Sequence, residues 1–319
     1  MRKILITGAL GFIGRSLIDH LISFDNDFEI HGIDIKDFPE DATYLKNKIQ
    51  FQQLDIRSYE EVNLYFNKNK FDGIIHLAAV SRVKDAEDDK QNCINTNFFG
   101  TKYLIECVSK NKNTWVIFSS SREVYGEPRM MPVSESAEKT PLNIYGFYKL
   151  EGERLVEKHI DNFFILRFSN VYGNLYDIPD RVIPKFIHNA LNGKELVLEG
   201  GGQIIDFTHI SDTVSSITKC IEFLSSGKQY KEDLHILPGR ENKITDLIEI
   251  IETEIGRKIK IKQNEKRNYD VEKFIGNNQK RKSILGDIEF LTLKEGVQKT
   301  ICLIAKEAYS IKPQSEKVL

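Results

Sequence analysis

Residues 4–14 read Ile-Leu-Ile-Thr-Gly-Ala-Leu-Gly-Phe-Ile-Gly, a short apolar run followed by three glycines with two residues between each. The apolar run predicts a buried strand, and the spacing of the apolar residues that follow predicts an amphipathic helix. In a turn between strand and helix, Gly8 allows a tight bend, Gly11 allows the backbone to approach a pyrophosphate and Gly14 allows close packing of helix on strand. The stretch therefore predicts a turn that receives a dinucleotide at a helix N-terminus.

Two acidic residues extend this prediction. Asp34 lies twenty residues after Gly14, at the end of the second predicted strand. A carboxylate at that position accepts hydrogen bonds from a ribose and would repel a 2'-phosphate, which favours NAD over NADP. Asp55 closes the third predicted strand and is a candidate contact for the adenine. A turn residue is an equally well supported interpretation of Asp55.

Short apolar, β-branched runs alternate with helical patterns through the first half of the chain. Because the runs lack polar alternation, they are typical of parallel strands that are buried on both faces. The alternation predicts right-handed crossovers and an α/β Rossmann fold with a doubly wound parallel sheet. The runs are 4–7, 30–34, 49–54, 73–77, 115–119 and 163–166, and the helical faces are Ile13, Leu17 and Leu21, then Ile94, Phe98, Ile105 and Val108.

The pattern loosens after about Arg167, where prolines and the glycines at 200–202 separate shorter elements. Helices are expected near 245–255 and 293–308. We predict an NAD-binding Rossmann domain and a smaller C-terminal α/β lobe that binds the substrate. The predicted division assigns residues 1–167 to the NAD-binding domain, with a returning segment near 203–235, and residues 168–202 and 236–319 to the lobe.

Composition limits the classes of partner. The chain has 319 residues, 40% of them hydrophobic, and a formal net charge of -2, so no field of either sign favours nucleic acid or a membrane surface. No apolar run approaches the roughly 18 residues of a spanning helix. The cysteines are far apart and form no C-x-x-C pair, which predicts no metal site and a reducing cytoplasm. They are Cys93, Cys107, Cys220 and Cys302.

A tyrosine and a lysine four residues apart on a helix share a face, so the lysine can lower the pKa of the tyrosine and make it a base. This pattern occurs three times, at Tyr44/Lys48, Tyr145/Lys149 and Tyr269/Lys273. Only the second follows a proline into a helix after the fifth predicted strand. That strand ends in Ser119-Ser120-Ser121, at the sheet edge where ligands bind in open α/β folds. We predict that Tyr145 and Lys149 are the functional pair.

Seven motifs occur in order along nearly the whole chain: 7–14, Asp55-Ile56, His76-Leu77-Ala78-Ala79, 97–101, 119–126, Tyr145-x-x-x-Lys149 and 166–173. In these motifs the chain resembles the extended short-chain dehydrogenase/reductase family, in particular its nucleotide-sugar epimerases and dehydratases. The resemblance implies that Tyr145 removes the proton from the hydroxyl on sugar carbon 4 while hydride passes to NAD. Lys149 would lower the pKa of Tyr145 and bind the ribose, and Ser121 would orient the substrate.

The same resemblance implies the other site residues and the assembly. It implies a homodimer through the helices near 91–110 and 145–159, packed as a four-helix bundle. Contacts with NAD are implied for Gly8, Gly11, Phe12, Ile13, Gly14, Asp34, Asp55, Ile56, Leu77, Ala78, Ala79, Asn97, Ser119, Tyr145, Lys149 and Phe168. Contacts with the nucleotide sugar are implied for Ser121, Asn170, Lys185, Leu198 and Arg267.

Two positions depart from the family pattern. Isoleucine occupies position 205, where the family normally has an arginine that grips the substrate diphosphate, and isoleucine cannot bind phosphate. Arg267 is the best remaining clamp, and Lys185 and Arg240 are weaker candidates. In addition, Arg122 precedes Glu123, where the family's 4,6-dehydratases of deoxythymidine-linked glucose carry an Asp-Glu pair. An arginine cannot protonate a leaving hydroxyl at neutral pH.

The reaction depends on the fate of the 4-keto sugar. An epimerase returns the hydride to the other face of the ketone and needs no further acid or base. A dehydratase needs a carboxylate to remove the proton on carbon 5, and Glu123 is the candidate. The alternative for Glu123 is a loop residue paired with Arg122. Our leading hypothesis is an NAD-dependent nucleotide-sugar 4-epimerase; the alternatives are a dehydratase that uses Glu123, a carbon-4 dehydrogenase and a non-catalytic NAD-sensing protein.

Overall fold

A computed structural model describes residues 2–23 and 28–310, with side chains as far as residue 306. Its strands are β1 (Arg2–Thr7), β2 (Phe28–Asp34), β3 (Gln50–Gln53), β4 (Gly73–His76), β5 (Trp115–Ser121), β6 (Phe163–Phe168), β7 (Val171–Tyr172), β8 (Leu196–Glu199), β9 (Ile204–Ile205), β10 (Thr208–His209), β11 (Lys231–Ile236), β12 (Asn242–Lys243) and β13 (Ile261–Asn264).

The α-helices are α1 (Phe12–Ser23), α2 (Tyr59–Lys68), α3 (Val83–Asp88), α4 (Lys90–Cys93), α5 (Thr101–Val108), α6 (Ile144–His159), α7 (Val182–Leu191), α8 (Ile210–Ser225), α9 (Ile244–Ile255), α10 (Gln279–Leu285) and α11 (Leu293–Ser310). Short 3-10 helices span Glu40–Leu45 and Arg122–Tyr125, and a π-helix spans Ile94–Gly100. No helix within 2–23 and 28–310 has the length and apolar character needed to cross a membrane.

Seven strands form one parallel sheet in the order β11-β6-β5-β4-β1-β2-β3. From β1 the chain winds outward through β2 and β3, then returns to β4 and winds the other way through β5, β6 and β11. The strand order therefore reverses between β1 and β4, where a doubly wound sheet opens a crevice at the carboxyl ends of its strands. This topology confirms the predicted α/β Rossmann fold.

The sheet is buried between two layers of helices. On one face, α1 and α8 pack together and bury Leu17, Leu21, Ile217 and Ile221. On the other face, the hydrophobic core of the sheet includes residues of α2, α5 and α6, among them the fully buried Val156. β4, β5 and β6 are buried throughout, as their unbroken apolar runs predict. The prediction is wrong for the run 49–54, because β3 is the edge strand of the sheet and its glutamines are exposed.

The segment between 203 and 235 returns to the sheet. Within it α8 covers one face, and β11 begins at Lys231 and pairs with β6 in parallel. A separate core lies beyond the sheet, where α7, α9 and α11 pack around Ile187, Leu247, Ile251 and Val297. Residues 311–319, which belong to the predicted lobe, lie outside the described residues.

The helix that follows β4 differs from its predicted pattern. We expected Ile94 and Phe98 on one buried face, but a π-helix separates α4 from α5 there. A π-helix has a wider turn than an α-helix, so the buried face shifts out of the period of 3.6 residues. Asn97 and Gly100 are buried instead, and Ile94 and Phe98 are half-buried.

The glycine turn after β1 leaves no room for side chains at two of its three glycines. Gly8 has φ +68°, and a Cβ on it would lie 2.8 Å from the backbone nitrogen of Ala78. A Cβ on Gly14 would lie 2.2 Å from the carbonyl oxygen of Gly8. A Cβ on Gly11 would meet only that same oxygen, at 3.2 Å. Backbone packing thus excludes side chains at Gly8 and Gly14, whereas the contact at Gly11 is tight but needs a shift of only a few tenths of an ångström.

Replacing Gly14 with alanine should destabilise the protein by about 1–3 kcal/mol, because backbone must move to admit the methyl group. Gly202→Ala is the matched control, since a Cβ on Gly202 has no atom within 4 Å. Thermal melts of both variants check the prediction. Equal melting temperatures would contradict the prediction and show that the backbone of the turn moves to admit the methyl group at little cost.

Candidate active site

A cavity of about 840 Å³ opens at the carboxyl ends of the sheet strands and extends to residues of the C-terminal lobe. It brings together all but two of the residues that the sequence suggested, Asn97 and Arg240. The predicted residues that line it are Gly8, Gly11, Phe12, Ile13, Gly14, Asp34, Asp55, Ile56, Leu77, Ala78, Ala79, Ser119, Ser121, Glu123, Tyr145, Lys149, Phe168, Asn170, Lys185, Leu198 and Arg267.

Asp34 is fixed at the end of β2 by two backbone amides. One carboxylate oxygen accepts from the Leu10 amide at 3.0 Å and the other accepts from the Lys36 amide at 3.0 Å. A carboxylate has about four acceptor positions, so lone pairs remain for a ligand. The turn between β1 and α1 therefore orients the group that is expected to accept ribose hydroxyls.

A buried chain of hydrogen bonds sets the loop after β4 against the glycine turn. The Ala78 amide donates to Thr7 Oγ1 at 3.1 Å, and the Thr7 hydroxyl shares a hydrogen bond with His76 Nδ1 at 2.7 Å. On the other side of the ring, His76 Nε2 shares a hydrogen bond with Thr101 Oγ1 at 3.0 Å. Burial lowers the pKa of His76 to about 3, which keeps the ring neutral. The chain fixes the small residues at 78–79 where a ligand can lie against backbone.

Asn97 is the one predicted NAD contact that does not line the cavity. Its side chain accepts from the Val80 amide at 2.8 Å and donates to the Val80 carbonyl at 3.0 Å, and it is buried. Both ends of the amide are thus used by the loop that follows Ala79. Asn97 shapes the cavity wall through Val80 rather than reaching the cavity.

Asp55 lies at the cavity wall but is already paired. Both of its carboxylate oxygens accept from the Arg57 guanidinium, with a closest distance of 2.7 Å. The hydrogen bonds from Arg57 hold the pKa of Asp55 below its usual range, against the effect of burial. Arg57 also lines the cavity, so the pair presents both a cation and an anion to a ligand.

Tyr145 and Lys149 lie one turn apart on α6 and face the end of β5. Asn143 caps the helix by accepting from the Gly146 amide at 2.8 Å, which fixes where α6 begins. Tyr145 shares a hydrogen bond with Ser121. Lys149 Nζ donates to the Ser119 carbonyl at 2.7 Å and lies 5.9 Å from the centre of the Tyr145 ring. Of the three Tyr-x-x-x-Lys patterns, only this one lies on an α-helix.

Burial dominates the protonation of this pair. It raises the pKa of Tyr145 to about 12, although the Ser121 hydrogen bond opposes the change. It lowers the pKa of Lys149 to about 8. We expected Lys149 to lower the pKa of the tyrosine, but desolvation disfavours both charged forms and outweighs that effect here. A ligand that brings positive charge beside Tyr145 would lower the pKa of the tyrosine.

Both carboxylate oxygens of Glu123 have a partner. Oε1 lies 3.0 Å from Arg122 Nη2 in an ion pair, and Oε2 accepts from Asn143 Nδ2 at 2.8 Å. The side chain is buried, with only 8% exposed. The structure therefore places Glu123 in an ion pair with Arg122. This pair was the alternative to a role for Glu123 as a catalytic base. The same Asn143 that caps α6 holds it, which sequence reasoning did not foresee.

The cations expected at the phosphate end are already partnered. Arg267 Nε donates to Asp270 at 2.8 Å and lies 3.1 Å from Glu199, and its side chain is 38% exposed. Lys185 pairs with Asp180 at 3.0 Å. Arg240 does not line the cavity, because its guanidinium donates to the Phe290 carbonyl. These contacts of Arg267 use its Nε, so the donors on its two Nη atoms can bind a ligand while the carboxylates stay in place.

The sequence reasoning missed the segment 174–181, which crosses the cavity wall between β7 and α7. At one end Asn174 donates to Ser16 of α1 at 2.7 Å. At the other end Arg181 donates to Ser81 at 3.2 Å. Asp177 is buried between them, and burial raises its pKa to about 6. The charged residues on either side of Pro179, just after the predicted Asn170, are the signal that could have identified this segment.

Within 2–23 and 28–310, no group of three histidine, cysteine or carboxylate side chains is placed to hold a metal ion. The four cysteines are free thiols, and Cys302 is the exposed one.

Replacing Lys149 with methionine should change how stability depends on pH. The pKa of Lys149 falls from 10.5 in the unfolded chain to about 8 in the fold, so between these values the unfolded chain binds more protons. Lys149 thus makes the wild type more stable as pH rises through this window, by about 2 kcal/mol between roughly pH 7.5 and 9.5. Lys149→Met should lack that gain and be more stable than wild type at the lower pH. Denaturant unfolding at both pH values measures the free energy of unfolding of the two proteins. If that free energy changed with pH equally in wild type and variant, the prediction would be wrong.

Comparison with known proteins places this site in a family. The sequence model of the NAD dependent epimerase/dehydratase family matches residues 4–236. A UDP-glucose 4-epimerase of Pisum sativum is 26% identical to this chain, over 89% of this chain and 90% of that protein. A dTDP-D-glucose 4,6-dehydratase of Dictyostelium discoideum is 30% identical, over 68% of this chain and 54% of that protein.

Solved structures with a similar fold include a nucleotide-sugar epimerase. The crystal structure of UDP-glucuronic acid 4-epimerase from Bacillus cereus, in complex with UDP-glucuronic acid and NAD, superposes with a TM-score of 0.86 at 27% identity. The superposition covers 96% of this chain and 99% of that one. The chain belongs to the NAD dependent epimerase/dehydratase family, which confirms the predicted cofactor and the predicted class of enzyme.

Proposed function

We propose that the protein is a nucleotide-sugar 4-epimerase, with Tyr145 as the base and Ser121 and Lys149 beside it. One observation carries the choice of reaction: both carboxylate oxygens of Glu123 already have a partner, Arg122 for one and Asn143 for the other. A dehydratase needs a carboxylate that takes a proton from carbon 5, and Glu123 would have to do this while these two partners hold it. An epimerase needs none, and the tyrosine, serine and lysine that it uses are all present.

The described residues fit NAD in the cavity. The N-terminus of α1 opens into it at Phe12 and Ile13, where backbone amides suit a pyrophosphate. Gly11 leaves the space that such an approach needs, and Asp34 is oriented for the ribose. NAD supplies a hydride acceptor and a positively charged ring.

The catalytic residues then have separate tasks. Tyr145 takes the proton from the hydroxyl on sugar carbon 4, and Ser121 holds that hydroxyl in place. Lys149, held by the Ser119 carbonyl, keeps a positive charge beside the tyrosine and favours the phenolate. The same tyrosine returns the proton when the sugar has turned over, so no second acid or base is required.

Relatives support both the leading proposal and its alternative. The Pisum sativum relative and the Bacillus cereus structure carry 4-epimerase names, whereas the Dictyostelium discoideum relative carries a 4,6-dehydratase name. The Bacillus cereus complex also holds a nucleotide-linked sugar acid. We therefore propose a nucleotide sugar as the substrate class and include neutral and acidic sugars in the test.

The purified protein should convert at least one nucleotide sugar of a panel into its carbon-4 epimer without change of mass. Tyr145→Phe should lose at least about 100-fold in kcat, because it removes the base. Mass spectrometry with chromatography of the sugars separates the outcomes. Loss of one water would indicate dehydration, and loss of two hydrogens would indicate net oxidation. If Tyr145→Phe matched wild type, the protein would be a non-catalytic NAD-sensing protein or use another base.

Glu123→Gln should keep kcat for epimerisation within about 10-fold, because glutamine can still bond to Arg122 and leaves Tyr145 in place. A dehydratase that used Glu123 as base would lose about 100-fold or more. Melting temperatures of the variant and wild type guard against a folding effect. A severe loss of turnover in a folded Glu123→Gln protein would favour the dehydratase.

We also propose a cytoplasmic homodimer. Aromatic side chains are partly exposed on the helices that the resemblance assigns to the interface: Phe99 before α5 and Phe147 on α6 are 37% and 45% exposed. Exposed apolar groups of this size favour a protein partner. Three buried thiols and the absence of C-x-x-C support a reducing compartment.

A further inference from the structure

Each of the three consecutive serines at the end of β5 contacts a residue of α6, and the three helix residues are spaced four apart. Because this spacing keeps them on one face, the helix is joined to the strand at three successive turns. The contacts are Ser121 with Tyr145, the Ser119 carbonyl with Lys149 Nζ at 2.7 Å, and Ser120 Oγ with Glu153 Oε1 at 2.5 Å.

Glu153 makes the contact that the proposed chemistry does not use. It is 1% exposed, and besides Ser120 it accepts from Arg167 twice, at 2.8 Å on each oxygen. Ser120 and Arg167 are paired neighbours on β5 and β6. The carboxylate therefore binds two adjacent strands at once, in the two-pronged geometry that makes such pairs strong.

Arg167 lies in a network of charged side chains. Its Nη1 lies 2.7 Å from Asp233 Oδ2 and donates to the Tyr125 hydroxyl at 2.7 Å, and Lys280 also pairs with Asp233, at 2.5 Å. Lys280 also pairs with Glu232, at 2.9 Å, so two cations face three anions, of which Glu153 is the most buried. Removing one member of a buried pair leaves its partner poorly compensated. Neutralising Glu153 would leave the buried Arg167 guanidinium with the Asp233 carboxylate as its remaining anionic partner.

We propose that Glu153 is a positioning residue for catalysis: through Ser120 and Arg167 it holds α6 in register with the end of β5, so that Tyr145 and Lys149 reach Ser121 and Ser119. The proposal rests on the proposed role of Tyr145 as base. Glu153 and Arg167 do not line the cavity. Ligands therefore do not compete for this pair, whereas Tyr145 and Lys149 must share their partners with substrate and cofactor.

The charge of Glu153 also acts on Lys149. That lysine faces Tyr145 and Glu153 on its own helix, His76 on β4 and Cys93 on α4. Burial is the largest influence and lowers the pKa of Lys149, while Cys93 and Glu153 raise it. Loss of the Glu153 charge should therefore lower the pKa of Lys149 further. A contact with only a structural role would not produce this change.

Two variants separate the geometry from the charge, and a third serves as control. Ser120→Ala removes the contact with β5 but leaves the Glu153–Arg167 ion pair. Glu153→Gln removes the charge and keeps the shape. Glu157→Gln is the matched control, because Glu157 is exposed one turn further along α6. We expect the first two to lower kcat about 10- to 100-fold with little change in KM, as small misplacements of catalytic groups do.

Two measurements do not require turnover. NMR of protein labelled with 13C at lysine Cε, assigned with Lys149→Met, should show a lower pKa for Lys149 in Glu153→Gln than in wild type. Hydrogen exchange of the amides at 145–149 should be faster in Ser120→Ala than in Glu157→Gln. If the wild-type protein shows no turnover, the proposed function is wrong. The NMR and hydrogen-exchange measurements would still test whether Glu153 positions α6.

Unchanged kcat in folded Ser120→Ala and Glu153→Gln would overturn the proposal. If Glu153→Gln does not fold, Ser120→Ala decides, since its ion pair is intact. An equal loss in Glu157→Gln would also overturn it, because that variant leaves the contacts with Ser120 and Arg167 in place.

Discussion

The burial of Tyr145 and Lys149 is the constraint on which the site depends. Both side chains lie on one face of α6 and are buried against the end of β5. Burial disfavours the phenolate and the ammonium alike, so the tyrosine stays protonated, while Lys149, with a pKa of about 8, is still mostly charged at neutral pH. The chemistry then depends on charge that arrives with the ligands. This explains why the glycine turn and the tyrosine helix must face the same cavity.

The two halves of that cavity come from strands on either side of the switch point. On one side, β1, β2 and the start of α1 provide the turn and Asp34. On the other side, β5 and α6 provide Ser121, Tyr145 and Lys149. Parallel strands end at the same edge of a sheet, so residues far apart in the chain meet there. The C-terminal lobe adds a third wall that carries Asn170 and Arg267.

Much of this arrangement was predictable because it follows from local rules. Apolar runs predict buried parallel strands, and a carboxylate twenty residues after the last glycine predicts a ribose contact. The missing parts depend on contacts between distant segments. Nothing in the local pattern shows that Asn143 caps α6 and also holds Glu123. Likewise, a π-helix leaves the period of 3.6 residues, so the burial of Asn97 could not be derived from periodicity.

The three glycines of the turn are not all required for the same physical reason. At Gly8 and Gly14 the obstacle to a side chain is the protein's own backbone, at 2.8 Å and 2.2 Å from a Cβ. Those two glycines would be required in any chain that folds this way, whether or not it binds a nucleotide. A Cβ on Gly11 would meet the Gly8 carbonyl oxygen at 3.2 Å, a tight contact that a small shift relieves. Packing therefore explains Gly8 and Gly14 fully and Gly11 only in part, and the approach of a ligand is the further reason for a glycine at position 11.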